Sequence, residues 1–166
     1  MVLEELEHAT RRSAPIYAEI AGYSSNSDAH SILQIDRSGR QITKILEELK
    51  GSRTIDYLNS HGTATPLNDA VEAQAIKEVF GGSKSQPLIN STKGIIGHTI
   101  GASGALEAAV AAMSIRESTV HGNDVEDPLD DLNLVTRTMH APIRYAISTS
   151  YGFGGHNAGL LLKRYG

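Results

Sequence analysis

The chain contains no cysteine and no tryptophan. Without a thiol it can form no disulfide, offer no thiolate to a metal and present no cysteine nucleophile. Aromatic residues are scarce, with two Phe and six Tyr. The core must therefore be filled by Ile, Leu, Val and Ala, with 16 glycines allowing backbones to approach one another closely. No apolar run approaches the ~20 residues needed to cross a bilayer. The acidic start, Met1-Val2-Leu3-Glu4-Glu5-Leu6-Glu7, lacks the apolar stretch of a signal peptide. The expected location is cytoplasmic, with no membrane contact. Positive charge is also in short supply: the formal net charge is −4, and no basic run is interleaved with stacking aromatics. Nucleic acid is thus not an expected partner, and the Arg11-Arg12 and Lys163-Arg164 pairs read as ordinary surface.

The 166 residues, 40% of them hydrophobic, suffice for a globular domain with a real core. The first segment reads as a strand entering a short helix around Glu4 to Arg12. A strand from Ile16 to Tyr23 follows, the whole resembling a hairpin with an insertion, and Ser24 to Asp28 reads as a turn. Ile42, Ile45, Leu46 and Leu49 recur at helical spacing and Gly51 closes that helix. Two βα units come next. Ile55 to Asn59 leads into a helix opened by Pro66 and ended at Gly81-Gly82; Leu88 to Ser91 leads into an Ala-rich helix, Ala102 to Arg116, expected to be buried on most sides. Val125 to Met139, including Asp130-Asp131, is loop-like, and Tyr145–Ser150 and Ala158–Lys163 are two closing strands. Alternating strands and helices with a closing hairpin predict an α/β fold, a mixed sheet layered with helices.

Chemistry gathers at three glycine-flanked places. The stretch from Ile89 to Ala105 brings Lys93 and His98 to a glycine-rich turn that opens a small-residue helix; His61 stands after a strand in Asn59-Ser60-His61-Gly62-Thr63-Ala64-Thr65; and Tyr151-Gly152-Phe153-Gly154-Gly155-His156-Asn157 links the last two strands. Glycine lets backbone approach a ligand, and strand ends are where α/β folds bind ligands. His8, His30, His121 and His140 carry no such context and read as surface or satisfied core groups. A metal is not expected: the pair lies in no HExxH motif, no cysteine assists, and a third ligand would have to be His156 or a distant carboxylate. The turn from Gly94 to Gly104 matches neither the Walker pattern nor GxGxxG, and Gly101-Ala102-Ser103-Gly104 misses the GxSxG elbow. A lysine cation near a histidine favours the neutral imidazole, able to act as base or hydrogen-bond donor near neutral pH. Glu72, on the helix after the His61 loop, is a candidate to hold Lys93, or else a solvated helix carboxylate.

These motifs together resemble the C-terminal part of the β-ketoacyl-ACP synthases, the decarboxylating condensing enzymes of fatty acid and polyketide synthesis, closest to the 3-oxoacyl-ACP synthase II type. The likeness runs from Val2-Leu3-Glu4-Glu5-Leu6-Glu7-His8-Ala9 to Gly152-Phe153-Gly154-Gly155-His156-Asn157-Ala158. It implies a thiolase-like fold in which residues 1–36 form the last strands of the N-terminal half and the connection, and residues 37–166 the C-terminal half. The cysteine that takes an acyl chain from acyl carrier protein would lie in the missing front half. By the same resemblance His61 and His98 are the catalytic histidines, Lys93 and Glu72 support them, and Thr63 and Thr65 line the channel for the phosphopantetheine arm, turn formation being their alternative role. Phe153 is the gate, with Gly152 and Gly154 giving its loop freedom, and its N–H is an oxyanion donor; His156 is structural. No bound cofactor is implied, only the carrier's phosphopantetheine as substrate carrier. The implied partners are acyl carrier protein and a cysteine-bearing synthase half or subunit, in a homo- or hetero-oligomer. Alone the chain is expected to be inert; the alternatives are a non-catalytic subunit like the chain-length factors, and an inactive fragment. Tyr151, Ser103 and the short connection from Lys50 to Thr54 depart from the family pattern.

Overall fold

The computed structural model describes residues 1–129 and 131–166. A five-stranded mixed sheet has the order β1-β7-β6-β2-β3, formed by β1 (Glu19–Ser27), β2 (Tyr57–Asn59), β3 (Leu88–Asn90), β6 (Tyr145–Gly152) and β7 (His156–Lys163). The strand β2 pairs parallel with both β3 and β6, as βα connections require, while β6–β7 and β1–β7 are antiparallel. A separate ribbon joins β4 (Thr119–Val120) to β5 (Met139–His140).

Strand periodicity sorts the core into two layers. Leu58, Ile147 and Leu161 point to one face of the sheet and meet the apolar stripes of α2 (Arg40–Lys50) and α3 (Pro66–Phe80). Their neighbours Tyr57, Ala146 and Leu162 point to the other face and meet Ala111 and Ile115 of α5 (Ser103–Glu117). Helix α2 lies so close to β7 that a Cβ on Gly159 would stand 2.6 Å from Leu49 Cδ1.

Several expectations are corrected. The first five residues form no strand; helix α1 (Leu6–Arg11) is capped by the Glu5 carboxylate, which accepts from the N–H groups of Glu7 and His8. The segment Ser24–Ser27 is not a turn, because β1 continues through it, and its partner is the distant β7 rather than a local hairpin strand. A sheet-edge strand is wet on one side and tolerates Ser and Asn, which hid it from a hydrophobic pattern. The loop from Val125 starts as expected but ends in β5, and Leu134 bridges to Ile89; Asp130 lies outside the described residues. Helix α5 is buried along one stripe only, Ser103, Glu107, Ala108, Ala111, Ser114 and Ile115, with Leu106 and Met113 exposed. Two helices cover one face of the sheet and one covers the other, so the outer side of α5 has no layer to pack against. Among the described residues no helix is long and apolar enough to cross a membrane.

Candidate active site

The chain leaves the sheet at the ends of β2 and β3 through two loops that are laced together. Ser60 N–H donates to the Asn90 carbonyl at 2.8 Å, and Ser91 Oγ donates to the Gly62 carbonyl at 2.8 Å. Gly62 has φ +39°, and a Cβ there would fall 2.5 Å from Ser91 Cβ, so only glycine fits. The carboxylate of Glu72, from the second turn of α3, accepts from the N–H of His61 at 2.8 Å and of Gly62 at 2.9 Å. Thr149 Oγ1 and Asn68 Nδ2 add longer donations at 3.4 Å each. Glu72 is 4% exposed, which rules out the solvated reading, and burial pushes its carboxyl above the usual range against the pull of those N–H donors.

After β3, Thr92 caps the single-turn helix α4 (Lys93–Ile96), and the chain then turns through Gly97 to His98. The Lys93 ammonium does not pair with Glu72. Its partner is Glu107, from α5, with side-chain exposures of 5% and 1% for the pair. Sequence reasoning missed Glu107; the available signal was a carboxylate set among the small and apolar residues of the first half of an Ala-rich helix, one turn after Ser103.

The two histidines meet edge to face, with ring centroids 5.7 Å apart and an interplanar angle of 87°. His61 is buried against the Tyr151 ring, 5.2 Å between centroids, and its Nδ1 has no hydrogen-bond partner. Burial first, then the Lys93 cation and His98, push the His61 imidazole down to about 3, so it is neutral at physiological pH. The lysine cation thus helps to hold His61 neutral, in keeping with its expected place beside the histidine pair. The His98 ring is exposed, and its Nδ1 lies 3.1 Å from the Ile100 N–H and 3.2 Å from Ser103 Oγ. A backbone N–H can only donate, so Nδ1 is the acceptor and the neutral ring carries its hydrogen on Nε2.

Thr63 is half-buried and Thr65 exposed on the His61 loop, their hydroxyls 2.9 Å apart. Phe153, 78% exposed, stands at the tip of the β6–β7 hairpin with Gly152 and Gly154 on either side. That tip is tied to the segment after β1: Gly154 N–H donates to the Ile32 carbonyl at 2.6 Å, and Asp28 N–H to the Gly155 carbonyl at 2.9 Å. His156 is exposed, and among the described residues no group of three His, Asp or Glu side chains is arranged to hold a metal ion.

The beta-ketoacyl synthase C-terminal domain matches this chain over residues 17–124. The chain belongs to this family. It is 39% identical over 175 aligned positions to 3-oxoacyl-[acyl-carrier-protein] synthase 2 of Staphylococcus aureus strain COL, an alignment covering 99% of this chain and 42% of that protein. It is 37% identical over 170 positions to 3-oxoacyl-[acyl-carrier-protein] synthase 1 of Buchnera aphidicola, again 99% and 42%. Among solved structures, a type II polyketide synthase acyl-carrier protein in complex with its ketosynthase aligns with a TM-score of 0.89 at 32% identity, covering 98% of this chain and 42% of that one. The ishigamide ketosynthase/chain length factor aligns at 0.87, also 32% identical, with the same coverage. This beta-ketoacyl synthase chain thus spans a little over two-fifths of the length of the curated relatives it matches. Its mixed sheet layered with helices is the thiolase-like fold of the ketosynthases, as its motifs implied.

Proposed function

We propose that this chain supplies the histidine half of a decarboxylating condensation site, and that a cysteine-bearing front half completes it. The observation that carries the reading is the His61–His98 pair: two imidazoles 5.7 Å apart, one held neutral by burial and a lysine, the other with its Nε2–H fixed by the Ile100 amide. In the proposed reaction an acyl group first sits as a thioester on the partner's cysteine. A malonyl group on the phosphopantetheine arm of acyl carrier protein then loses CO2 as its C–C bond breaks. The electron pair passes into the thioester as an enolate, whose oxygen accepts hydrogen bonds from the two imidazole N–H groups. The enolate carbon attacks the acyl thioester, a C–C bond forms and the cysteine sulfur leaves as thiolate.

Neutral donors aimed at a developing oxyanion in a site shielded from water contribute a large share of rate enhancement, about 10²–10³ for one donor. Lys93, paired with Glu107, contributes charge that keeps His61 neutral, and Glu72 fixes the backbone of the His61 loop. Thr63 and Thr65 face the arm in this reading, and Phe153 with Gly152 and Gly154 closes over the acyl thioester.

The need for a partner has physical support. Ile95, Ile96, Ile100, Leu106, Met113 and Phe153 are 41–82% exposed around the turn and helix that carry His98 and Glu107. A front half would cover this apolar surface and bring its cysteine to the histidines. The test is to purify the protein from its own cells, identify associated chains by mass, and assay condensation of an acyl thioester with malonyl-ACP. The proposal expects a cysteine-containing front half and product formation. A complete assembly that condenses equally well after His61→Ala would support a non-catalytic, chain-length-factor-like role instead.

A further inference from the structure

Five histidines remain beside the pair, and four of them, His8, His30, His140 and His156, are exposed; His121 is half-buried just after β4. It is held at three points. Its carbonyl accepts from Asn90 Nδ2 at 2.8 Å, its Nδ1 meets the Gly122 carbonyl at 2.9 Å, and its Nε2 lies 3.3 Å from Thr92 Oγ1. The carbonyl of Gly122 can only accept, so Nδ1 carries a hydrogen, and in the neutral ring Nε2 is an acceptor. The Thr92 hydroxyl already accepts from Asn59 Nδ2 at 2.7 Å and has its proton free to donate to Nε2. A directed chain results, from the buried Asn59 through the buried Thr92 to His121.

Thr92 is the residue from which the active-site turn hangs. Its carbonyl accepts the N–H of Ile95 at 3.0 Å and of Ile96 at 3.2 Å, and the Lys93 carbonyl accepts that of Gly97 at 2.9 Å, one residue before His98. A four-residue helix cannot hold itself, because helices that short do not repay the entropy of nucleation. Its geometry is imposed at the ends: Glu107 grips the Lys93 side chain, and Thr92 anchors the backbone.

We infer that His121 is a positioning residue for the condensation site, setting Lys93 and His98 by fixing the Thr92 hydroxyl. Its catalytic consequence rests on the proposed role of the histidine pair; its structural content does not. Two polar substitutions separate the functions of the ring. In His121→Gln the side-chain oxygen reaches the place of Nε2 and still accepts from Thr92. In His121→Asn the side chain reaches only the place of Nδ1, keeping the Gly122 contact and losing the Thr92 one.

The first readout is nuclear magnetic resonance of the nitrogen-15-labelled chain, following the His98 ring nitrogens and the Ile100 amide. Gln should leave these signals at their wild-type positions, and Asn should move them. Thr92→Val should reproduce the Asn effect and add nothing to it. In the cysteine-containing assembly, Asn should lower kcat about tenfold through misplacement of the donors, with KM unchanged, and Gln should restore most of that loss. Wild-type His98 signals in both His121 variants, or equal disturbance in both, would overturn the inference. A wild-type assembly that fails to decarboxylate malonyl-ACP would overturn the proposed function instead, and the resonance comparison would still decide the role of His121.

Discussion

Replacing Glu107 with glutamine should be among the most damaging single changes to this chain. The carboxylate is 1% exposed and the Lys93 side chain 5%. Both charges have therefore been taken out of water, and each is tolerable only because of the other. Glu107→Gln keeps the shape but leaves the ammonium with a neutral neighbour; the remaining contact at this site, from Ser150 Oγ at 3.5 Å to Glu107 Oε2, is weak. Removing one member of a buried pair costs about 3–5 kcal/mol. For a domain of this size that lowers Tm by roughly 6–20 °C. Replacing both partners with apolar residues, Lys93→Met with Glu107→Leu, removes the uncompensated charge and should lie within about 2 kcal/mol of wild type. Urea unfolding of the wild-type chain, Lys93→Met, Glu107→Leu and the double variant at low protein concentration closes the cycle. The coupling of Lys93 to Glu107 should exceed about 2 kcal/mol, and the coupling to Glu72, which has backbone N–H partners of its own, should be less than half of that. A Glu107→Gln variant within about 1 kcal/mol of wild type, or a larger coupling of Lys93 to Glu72, would refute the pairing.

The neutrality of His61 makes stability pH-dependent. Its folded value near 3 lies below the ordinary 6.5, so on acidification the unfolded chain takes up a proton that the folded chain refuses. The contribution is present above 6.5 and is lost at about 1.4 kcal/mol per pH unit as pH falls toward 3. In urea melts the stability difference between wild type and His61→Asn should shift by about 1–2 kcal/mol between pH 6.5 and pH 5, to the disadvantage of wild type; a constant difference would show that His61 is not buried neutral. Gly62→Ala meets both a left-handed backbone and Ser91 Cβ at 2.5 Å. It should cost about 2–5 kcal/mol in the same melts, and a loss under 1 would contradict the lacing of the two loops. Ile100→Ser combined with Phe153→Ser removes two of the most exposed apolar groups, at 82% and 78%. Binding of a hydrophobic dye and self-association of the chain should both fall, and unchanged values would place the sticky surface elsewhere.

Hydrophobic periodicity located α2 and α3, because each presents an apolar stripe to the sheet, and it located β6, whose buried residues run together; α5 was marked by its alanine-richness, which overstated how far it is buried. It found the first half of β1 but failed at Ser24–Ser27, where the edge strand's Ser and Asn residues are paired through backbone, and at the two-residue ribbon β4–β5, too short to show a period. In the site, glycine and histidine marked where chemistry gathers, and family resemblance supplied the roles. Neither could supply partner choice. Glu72 and Glu107 are both helix carboxylates within reach of Lys93 in sequence terms; only the packing of α3 against the His61 loop and of α5 against α4 assigns one to backbone N–H groups and the other to the ammonium. The role of His121 was hidden for a similar reason, since its partner Thr92 is 29 residues away.

The central claim is that His61 and His98 stabilise an enolate once a cysteine-bearing half is in place. Its most direct test is CO2 release from malonyl-ACP by the natively assembled protein, measured for wild type, His61→Ala and His98→Ala. The account predicts a fall of about 10²–10³ for each variant, with association of the chains intact. Undiminished CO2 release from either variant would contradict it.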